Sequence, residues 1–182
     1  MNVYVRDETT GELKYWISKR SETKSVSPGM YDNCVGGGIS SGESPLECII
    51  REAEEEAGLQ EKRVRREIRA GGTVTYIEIT EEGKGGEVGL VCPGLIYVYD
   101  LEIRKGETLR VEEGEADGFE LLGKEEIQHM MLNAQFKPNC ASVMVDFWVR
   151  HGIITAENER NYAEICQSLH RALPFRTTPA AV

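Results

Sequence analysis

The chain has 182 residues, of which 40% are hydrophobic, and it carries a formal net charge of -10. This length suits one globular domain around one buried core. The acidic balance argues against binding a nucleic-acid backbone, which requires clustered Lys and Arg. We expect no membrane association and a cytoplasmic location, because no run of about 18 apolar residues and no apolar signal-peptide core occur.

A β-hairpin is predicted at the start of the chain. Residues 1–20 alternate apolar and polar side chains around a turn at residues 7–11. Residues 20–33 contain Pro28 and Gly29 among several Ser and Thr, which indicates a loop. Three consecutive glycines, at positions 36–38, follow.

The clearest predicted helix follows these glycines. Ser44 is suited to the N-cap, Pro45 to the first helical position, and Glu47 completes a capping-box pattern. Gly58 marks the end of the helix. Apolar residues recur on one face, which we expect to be buried: Leu46, Ile49, Ile50, Ala53 and Ala57.

The second half of the chain is predicted to add strands and further helices. Two β-rich runs, residues 71–79 and 90–100, are separated by a Gly-rich turn, and a third covers residues 118–121. We expect helices over residues 124–133, 139–151 and 157–172. Strands interleaved with a few helices favour an α/β (α+β) fold with a mixed sheet and helices on both faces.

Three glutamates share the other face of the predicted helix. Glu52, Glu55 and Glu56 are three and four residues apart, so their like charges repel unless a cation neutralises them. Carboxylate oxygens are ligands for hard ions such as Mg²⁺ or Mn²⁺. The glycines let the backbone approach closely and add a carbonyl ligand. Arg51 is a candidate for orienting a glutamate, which we predict to be Glu43.

The spacing of these residues resembles the signature of the Nudix hydrolases. Gly37, Glu43 and residues 51–59 match every specified position, a match expected by chance roughly once in ten thousand sequences. The resemblance implies an α/β/α sandwich in which a loop-helix-loop holds metal against a diphosphate. It makes Glu52, Glu55 and Glu56 metal ligands and the Gly37 carbonyl an accessory ligand.

The resemblance also implies the chemistry, in which a metal-activated water attacks phosphorus. We group Arg51 with Glu55 and Glu56 as residues that catalysis requires. The general base varies across the superfamily. Glu87 and Glu115 are external candidates for it, and the alternative for each is a solvated loop glutamate.

Further segments resemble the Nudix domain linked to fungal thiamin pyrophosphokinases and its plant and bacterial relatives. They are residues 20–24, 28–33, 136–141, 146–152 and 169–175. The resemblance implies hydrolysis of oxidised or damaged thiamin diphosphate analogues, such as oxo- or oxythiamin diphosphate, in metabolite repair. We expect residues 1–175 to form one Nudix domain and residues 176–182 a disordered tail. The N-terminal domain common in this subgroup is not expected.

Several residues outside the signature have two interpretations. Arg20 and Lys24 could bind the diphosphate or be solvated. Asn139 could bind a pyrimidine ring or cap a helix, and we favour the cap. Aromatic residues could stack on a substrate, although core positions are commoner: Tyr76, Tyr97 and Trp148.

The five cysteines are scattered without a Cys-x-x-Cys pair, so we interpret them as reduced thiols that mostly fill the core. The isolated histidines receive no metal role: His129, His151 and His170.

Two alternative functions remain open at the level of sequence. The substrate could be a nucleoside diphosphate derivative, such as ADP-ribose or a dinucleotide. The chain could also be a non-catalytic ligand-binding module on the same scaffold, although its intact carboxylates argue against this. Many relatives pair as homodimers, so a homodimer is possible here. Under both enzymatic hypotheses the expected partner is a small-molecule diphosphate substrate.

Overall fold

The computed structural model describes residues 1–80, 87–111 and 116–177. Its strands are β1 (Asn2–Arg6), β2 (Leu13–Arg20), β3 (Tyr31–Asn33), β4 (Arg69–Ile79), β5 (Val91–Glu102) and β6 (Ala116–Leu122). Its helices are α1 (Pro45–Ala57), α2 (Glu61–Glu67), α3 (Lys124–Leu132), α4 (Pro138–Arg150) and α5 (Tyr162–Leu169). Strands and helices therefore follow no strict βαβ alternation.

Within the described ranges, six strands form one mixed sheet, in which successive hydrogen-bonded pairs link β3 to β2, β2 to β1, β1 to β5 and β5 to β4, and β6 also pairs with β2. Strand β1 runs parallel to β5, and the other pairs are antiparallel. Strand β6 overlaps both β1 and β3 in its pairing with β2. Strands β1 and β3 therefore follow one another along the same edge of β2, and β6 lies on the opposite edge.

Alternating side chains of the sheet bury against helices on both faces. Val3 and Val5 of β1 pack in one core with buried residues of α1 and α2. Tyr4, between them, faces the other core with Phe147 and Trp148 of α4. This period of two is expected for a strand that is covered on both sides. The arrangement is the α/β/α sandwich that the sequence predicts.

Most predicted elements are confirmed, with four corrections. Strand β3 lies at the end of the predicted loop, where its pairing with β2 makes it extended. Helix α2 was not predicted, since Val64 is the one residue of this short helix that is buried. Helix α5 is shorter than residues 157–172. Leu46, which is expected on the buried face of α1, is exposed in the first turn, whereas Cys48 is buried.

A charged network fastens α4 to the sheet beneath it. Asp100 of β5 is buried and accepts hydrogen bonds from Asn2 at 2.9 Å and from Arg150 of α4 at 3.2 Å. Arg150 also donates to buried Asp146 at 2.7 Å. None of the helices in the described part of the chain combines the length and apolar character needed to cross a bilayer.

Candidate functional site

Local signals fix the ends of α1, the helix that carries the glutamates. The Ser44 hydroxyl accepts a hydrogen bond from the backbone N–H of Glu47 at 3.3 Å, and Pro45 occupies the first helical position. The Glu47 carboxylate bonds Arg65, so the predicted capping box is only half formed. Gly58 ends the helix at a φ of 64°, a left-handed conformation that favours glycine.

The guanidinium of Arg51, in the middle of this helix, lies among three glutamates. Its Nε and Nη2 donate to the two oxygens of Glu43 at 3.0 and 3.2 Å. Its Nη1 donates to Glu52 Oε1 at 2.8 Å and to Glu55 Oε2 at 3.0 Å. The predicted pairing of Arg51 with Glu43 is confirmed, and it is bidentate. The same cation also offsets the repulsion between Glu52 and Glu55.

These contacts shift the proton affinities of the pair. The hydrogen bonds from Arg51 and from the backbone N–H of Ser40 lower the pKa of Glu43 to about 2. The hydrogen bonds to Glu43 and Glu52 raise the pKa of Arg51 above its usual value. Both side chains are therefore charged throughout the physiological range, and the ion pair fixes the loop preceding α1 against the helix.

The glycine loop lies directly against the glutamate face. The backbone N–H of Gly36 donates to Glu56 Oε2 at 2.9 Å. A Cβ built on Gly37 would lie only 1.9 Å from Glu52 Oε1. Gly37 thus leaves room for a carboxylate that any side chain at that position would displace. The structure brings the loop together with Glu52 and Glu56, as the sequence predicts.

The donor set fits a hard divalent cation, because it consists of carboxylates beside a bare backbone segment. Within the described residues, however, no group of three or more His, Cys, Asp or Glu side chains is arranged to hold a metal ion. Oxygens of Glu52 and Glu55 are bound to Arg51 instead. A cation would therefore compete with Arg51 for these two carboxylates, while Glu43 could keep the guanidinium. The four predicted metal ligands stay a prediction.

A cavity of about 490 Å³ adjoins the glycine loop. Strand β5 pairs with β1 only from Asp100 onward, so residues 95–99 border β4 on one side and the cavity on the other. The start of α4 closes the cavity through Lys137, Asn139 and Cys140. Its volume lies in the range typical of small-molecule sites.

A smaller pocket of about 30 Å³ shares part of its lining with this cavity. It brings Arg20 and Lys24 to the same space as Glu56. Arg20 is held there by Asp32 at 3.1 Å and by the carbonyl of Ser27 at 3.1 Å. Two predicted substrate-binding cations and one predicted metal ligand thus converge from two separate parts of the chain.

The expectation that Asn139 caps a helix is wrong. The N-cap of α4 is Lys137, and no side chain bonds to that helix end. Asn139 lies inside the first turn, where its Nδ2 donates to the hydroxyl of Tyr76 at 3.3 Å. Trp148 is core, as expected, whereas Tyr97 is 41% exposed and lines the cavity.

Of the two external candidates for the general base, the structure describes Glu87 and does not bring it to the site. Glu87 is exposed and does not line either pocket; its carbonyl accepts a hydrogen bond from Thr80. Glu115 lies outside the described residues, as do residues 178–182 of the predicted tail.

His151 contacts buried Asp100 at 3.4 Å and so belongs to the charged network between α4 and the sheet.

Sequence reasoning missed several residues of the cavity lining. Tyr99 lies one pleat beyond Tyr97, and Lys137 contacts Asp32 at 3.4 Å in the same wall. Alternation along β5 could have found Tyr99, since it places Tyr97 and Tyr99 on one face. Lys137 and Asp32 are 105 residues apart, and no local pattern links them.

Comparison with known proteins gives a consistent family. The model of the NUDIX domain matches residues 1–142. An uncharacterized protein of Saccharomyces cerevisiae is 37% identical over 97% of this chain and 53% of its own length. Nudix hydrolase 20, chloroplastic, of Arabidopsis thaliana is 35% identical over 93% of this chain and 42% of its own. This chain therefore spans about half the length of these curated relatives.

Solved structures show the same fold. The NUDIX domain of Shewanella oneidensis NrtR complexed with ADP ribose superposes with a TM-score of 0.57, at 12% identity and 84% coverage of both chains. Identity this low is evidence for the fold alone. The match of the family model over residues 1–142 establishes more than the fold: this chain belongs to the Nudix family.

Proposed function

We propose that the chain is a metal-dependent hydrolase of phosphoanhydrides that removes the terminal phosphate from thiamin diphosphate analogues. The observation that carries the proposal is the junction of the two pockets. Arg20, Lys24 and Glu56 border the small one, which shares lining residues with a larger cavity that Tyr97 and Tyr99 also line. A diphosphate needs cations, and its organic end needs an apolar cleft with a few polar groups.

The residues of the glycine loop and α1 have separate tasks in this proposal. A bound divalent cation would activate water and offset charge on the phosphoryl group. Glu52, Glu55 and Glu56 would supply its carboxylate ligands, and the Gly37 carbonyl an accessory one. Arg51 holds the loop through Glu43 and orients Glu52. Lys24 and Arg20 would attract the diphosphate from the other side of Glu56.

The general base is proposed to lie within α1. Glu55 is the more exposed of the glutamates that contact Arg51, with 57% of its side chain accessible, so it can reach a water molecule at the surface of the site. Glu52 is only 14% exposed and is packed against Gly37. Glu87 has no contact that would bring its carboxylate to the cavity, and it becomes the weaker candidate.

The organic end of a thiamin compound suits the larger cavity. Tyr97 and Tyr99 offer aromatic faces on which a positively charged thiazolium ring can rest by cation-π attraction. Asn139 adds an amide for hydrogen bonding to the second ring. The same walls would also stack an adenine, so the competing substrate class is a nucleoside diphosphate derivative. A domain of the same fold has been crystallised with ADP ribose, so ADP-ribose is included among the substrates to be tested.

A substrate panel tests the proposal directly. The chain is incubated with thiamin diphosphate, oxythiamin diphosphate, oxothiamin diphosphate, ADP-ribose and nucleotide sugars, with and without Mg²⁺, and products are separated by chromatography. We expect Mg²⁺-dependent conversion of the thiamin analogues to monophosphates and phosphate. Faster cleavage of ADP-ribose than of every thiamin compound would replace the first substrate class by the second.

Variants of α1 test the assignment of the glutamates. Glu56→Gln or Glu55→Gln should lower turnover by orders of magnitude with the fold intact. Glu54→Gln is the matched control, because Glu54 directly precedes Glu55 in sequence but is exposed on another face of the helix. Full turnover in either of the first two variants would refute the metal site. Tight binding without hydrolysis of any compound would favour a ligand-binding module.

Cytoplasmic location, metabolite repair and homodimerisation stay predictions. The Arabidopsis relative is labelled chloroplastic.

A further inference from the structure

The Asn139 side chain is held at the cavity wall by a residue of another element. Its Nδ2 donates to the hydroxyl of Tyr76, on β4, at 3.3 Å. Asn139 itself lines the cavity and is half-buried. Because it does not cap α4, this amide has no role in ending the helix. Its orientation is determined by Tyr76 and by the position of the first turn of α4.

The position of Tyr76 depends in turn on a glycine. Gly94 of β5 lies directly opposite Tyr76 in the antiparallel ladder. A Cβ on Gly94 would lie 2.2 Å from Cζ of the Tyr76 ring and 2.6 Å from its hydroxyl oxygen. The ring therefore lies across the bare backbone of Gly94, an arrangement that a side chain would prevent. Gly94 has no left-handed φ, so space rather than backbone conformation requires glycine here.

We propose that Gly94 and Tyr76 position the Asn139 amide to recognise the edge of a nitrogen heterocycle, and that this edge carries an amino group beside a ring nitrogen. The inference rests on the proposed function, in which the organic end of the substrate occupies this cavity. A side-chain amide has two N–H donors and one carbonyl acceptor. Tyr76 takes one donor, which leaves one N–H and Oδ1 for a ligand.

The remaining contact of the amide is weak. The Cys140 thiol donates to Oδ1 at 3.4 Å, and a thiol is a poor donor. Oδ1 therefore keeps a lone pair for a ligand. A neighbouring N–H and carbonyl match a neighbouring ring acceptor and amino donor, the pairing by which Asn recognises the edge of adenine in DNA. An aminopyrimidine ring presents the same pair of groups.

The Tyr76–Asn139 bond is not needed to hold α4 against the sheet. Val143 of α4 already packs with Val74 of β4 and Val98 of β5 in a buried cluster. Loss of one half-buried hydrogen bond at the rim of this cluster should leave the fold intact. The Tyr76 hydroxyl is therefore a positioning group, and we expect its removal to change substrate recognition rather than the fold.

Steady-state kinetics provide the first test. Tyr76→Phe removes the hydroxyl and keeps the ring over Gly94. We expect KM for a substrate that carries this amino group, such as oxothiamin diphosphate, to rise roughly 2- to 10-fold, the range for one hydrogen bond, with kcat unchanged. Asn139→Leu should raise KM further, and binding of inorganic pyrophosphate should not change in either variant. Tyr31→Phe is the control, since that hydroxyl bonds Glu120 away from the cavity.

The glycine is tested with a matched pair of variants. Gly94→Ala should displace the Tyr76 ring and reproduce the KM effect of Tyr76→Phe. Gly118→Ala, in β6, should have no effect, because a Cβ there meets nothing within 4 Å. If Gly94→Ala does not fold, Tyr76→Phe alone still decides the outcome. An unchanged KM in Tyr76→Phe would overturn the positioning role.

A readout that is independent of activity separates this inference from the proposed function. The side-chain amide signals of Asn139 are followed by NMR while oxothiamin diphosphate, thiamin diphosphate or ADP-ribose is added, since each of these carries an amino group beside a ring nitrogen. Shifts in the wild-type protein that are smaller in Tyr76→Phe support the inference, even if none of the compounds is hydrolysed and the proposed function fails. Signals that stay fixed with all three compounds would overturn it.

Discussion

Gly37 and Glu52 approach so closely that a single methyl group cannot be placed between them. A Cβ on Gly37 would lie 1.9 Å from Oε1 and 2.1 Å from Cδ of the Glu52 carboxyl group. Glu52 cannot easily retreat, because Arg51 donates to the same oxygen at 2.8 Å. The absence of a side chain at Gly37 therefore determines where this carboxylate lies.

Gly37→Ala tests this relationship. The added methyl group should push Glu52 out of position and weaken the proposed metal site, so we expect the Mg²⁺ concentration needed for half-maximal activity to rise roughly 10- to 100-fold. Gly38→Ala is the control, because a Cβ there meets nothing within 4 Å. Equal Mg²⁺ requirements in the two variants would show that Glu52 is not held by this contact.

Arg51→Met tests the competition between the guanidinium and a cation. Without Arg51, Glu52 and Glu55 repel each other, and we expect the unfolding free energy of the metal-free protein to fall. Saturating Mg²⁺ should then raise Tm by more than it does in the wild-type protein, since binding to the folded state adds stability. Thermal unfolding with and without Mg²⁺ measures both effects.

The control for that variant is Arg66→Met, which removes an arginine whose side chain is 72% exposed and paired with Glu67. Its response to Mg²⁺ should equal that of the wild-type protein. An Arg51→Met protein that gains no more from Mg²⁺ than this control would indicate that Arg51 and the metal do not share carboxylates.

The sequence predicts elements whose determinants are local. Helix α1 has its cap, its first-turn proline and its terminal glycine within fifteen residues, and its glutamate face follows from the helical period alone. Strand β3 lacks such signals, because its extended form depends on pairing with β2 and on a bridge from Tyr31 to Phe136. Helix α2 is too short and too polar for its period to be recognised.

The residues of the candidate site also fall into those with local determinants and those that only tertiary contacts bring together. The glutamates and their arginine could be predicted because they lie on one helix and the loop before it. The cavity could not, since its walls come from β5, α4 and the segment around β3. Asn139 was misassigned because its partner, Tyr76, is 63 residues distant and depends on the further residue Gly94. Recognition of the organic end is thus a property of tertiary contacts.

The pair of Asp100 and Arg150 predicts a pH dependence of stability. Burial acts to raise the pKa of Asp100, but the hydrogen bonds from Arg150 and Asn2 outweigh it and lower the pKa below its usual value. Its folded-state pKa is thus lower than its unfolded-state pKa. The stabilisation is fully present above the unfolded value of about 3.9 and is lost as pH falls through the folded value.

Asp100→Asn should therefore destabilise the protein by about 1.5–3 kcal/mol near pH 7, because it replaces a charged acceptor of Arg150 with a neutral one while Asp146 still binds the guanidinium. The difference from the wild-type protein should shrink as the pH falls below about 4. Urea unfolding across this range measures it. Lys105→Met is the control: it removes an exposed partner of Asp7 and should change the unfolding free energy far less than Asp100→Asn does. A difference that persists unchanged into acid would contradict the assignment.

The five cysteines are free thiols, and their burial predicts an order of modification. Burial raises the pKa of Cys34 and of Cys140 well above the usual value, so near neutral pH almost no reactive thiolate forms at either position. Cys92 is exposed on β5 and should be alkylated first, followed by the partly exposed Cys166. Mass spectrometry after timed iodoacetamide treatment of the folded protein measures the order, and the same treatment in urea should abolish it. Because Cys140 forms part of the cavity wall, alkylation there as fast as at Cys92 would mean that the cavity opens far more widely in solution than its walls allow here.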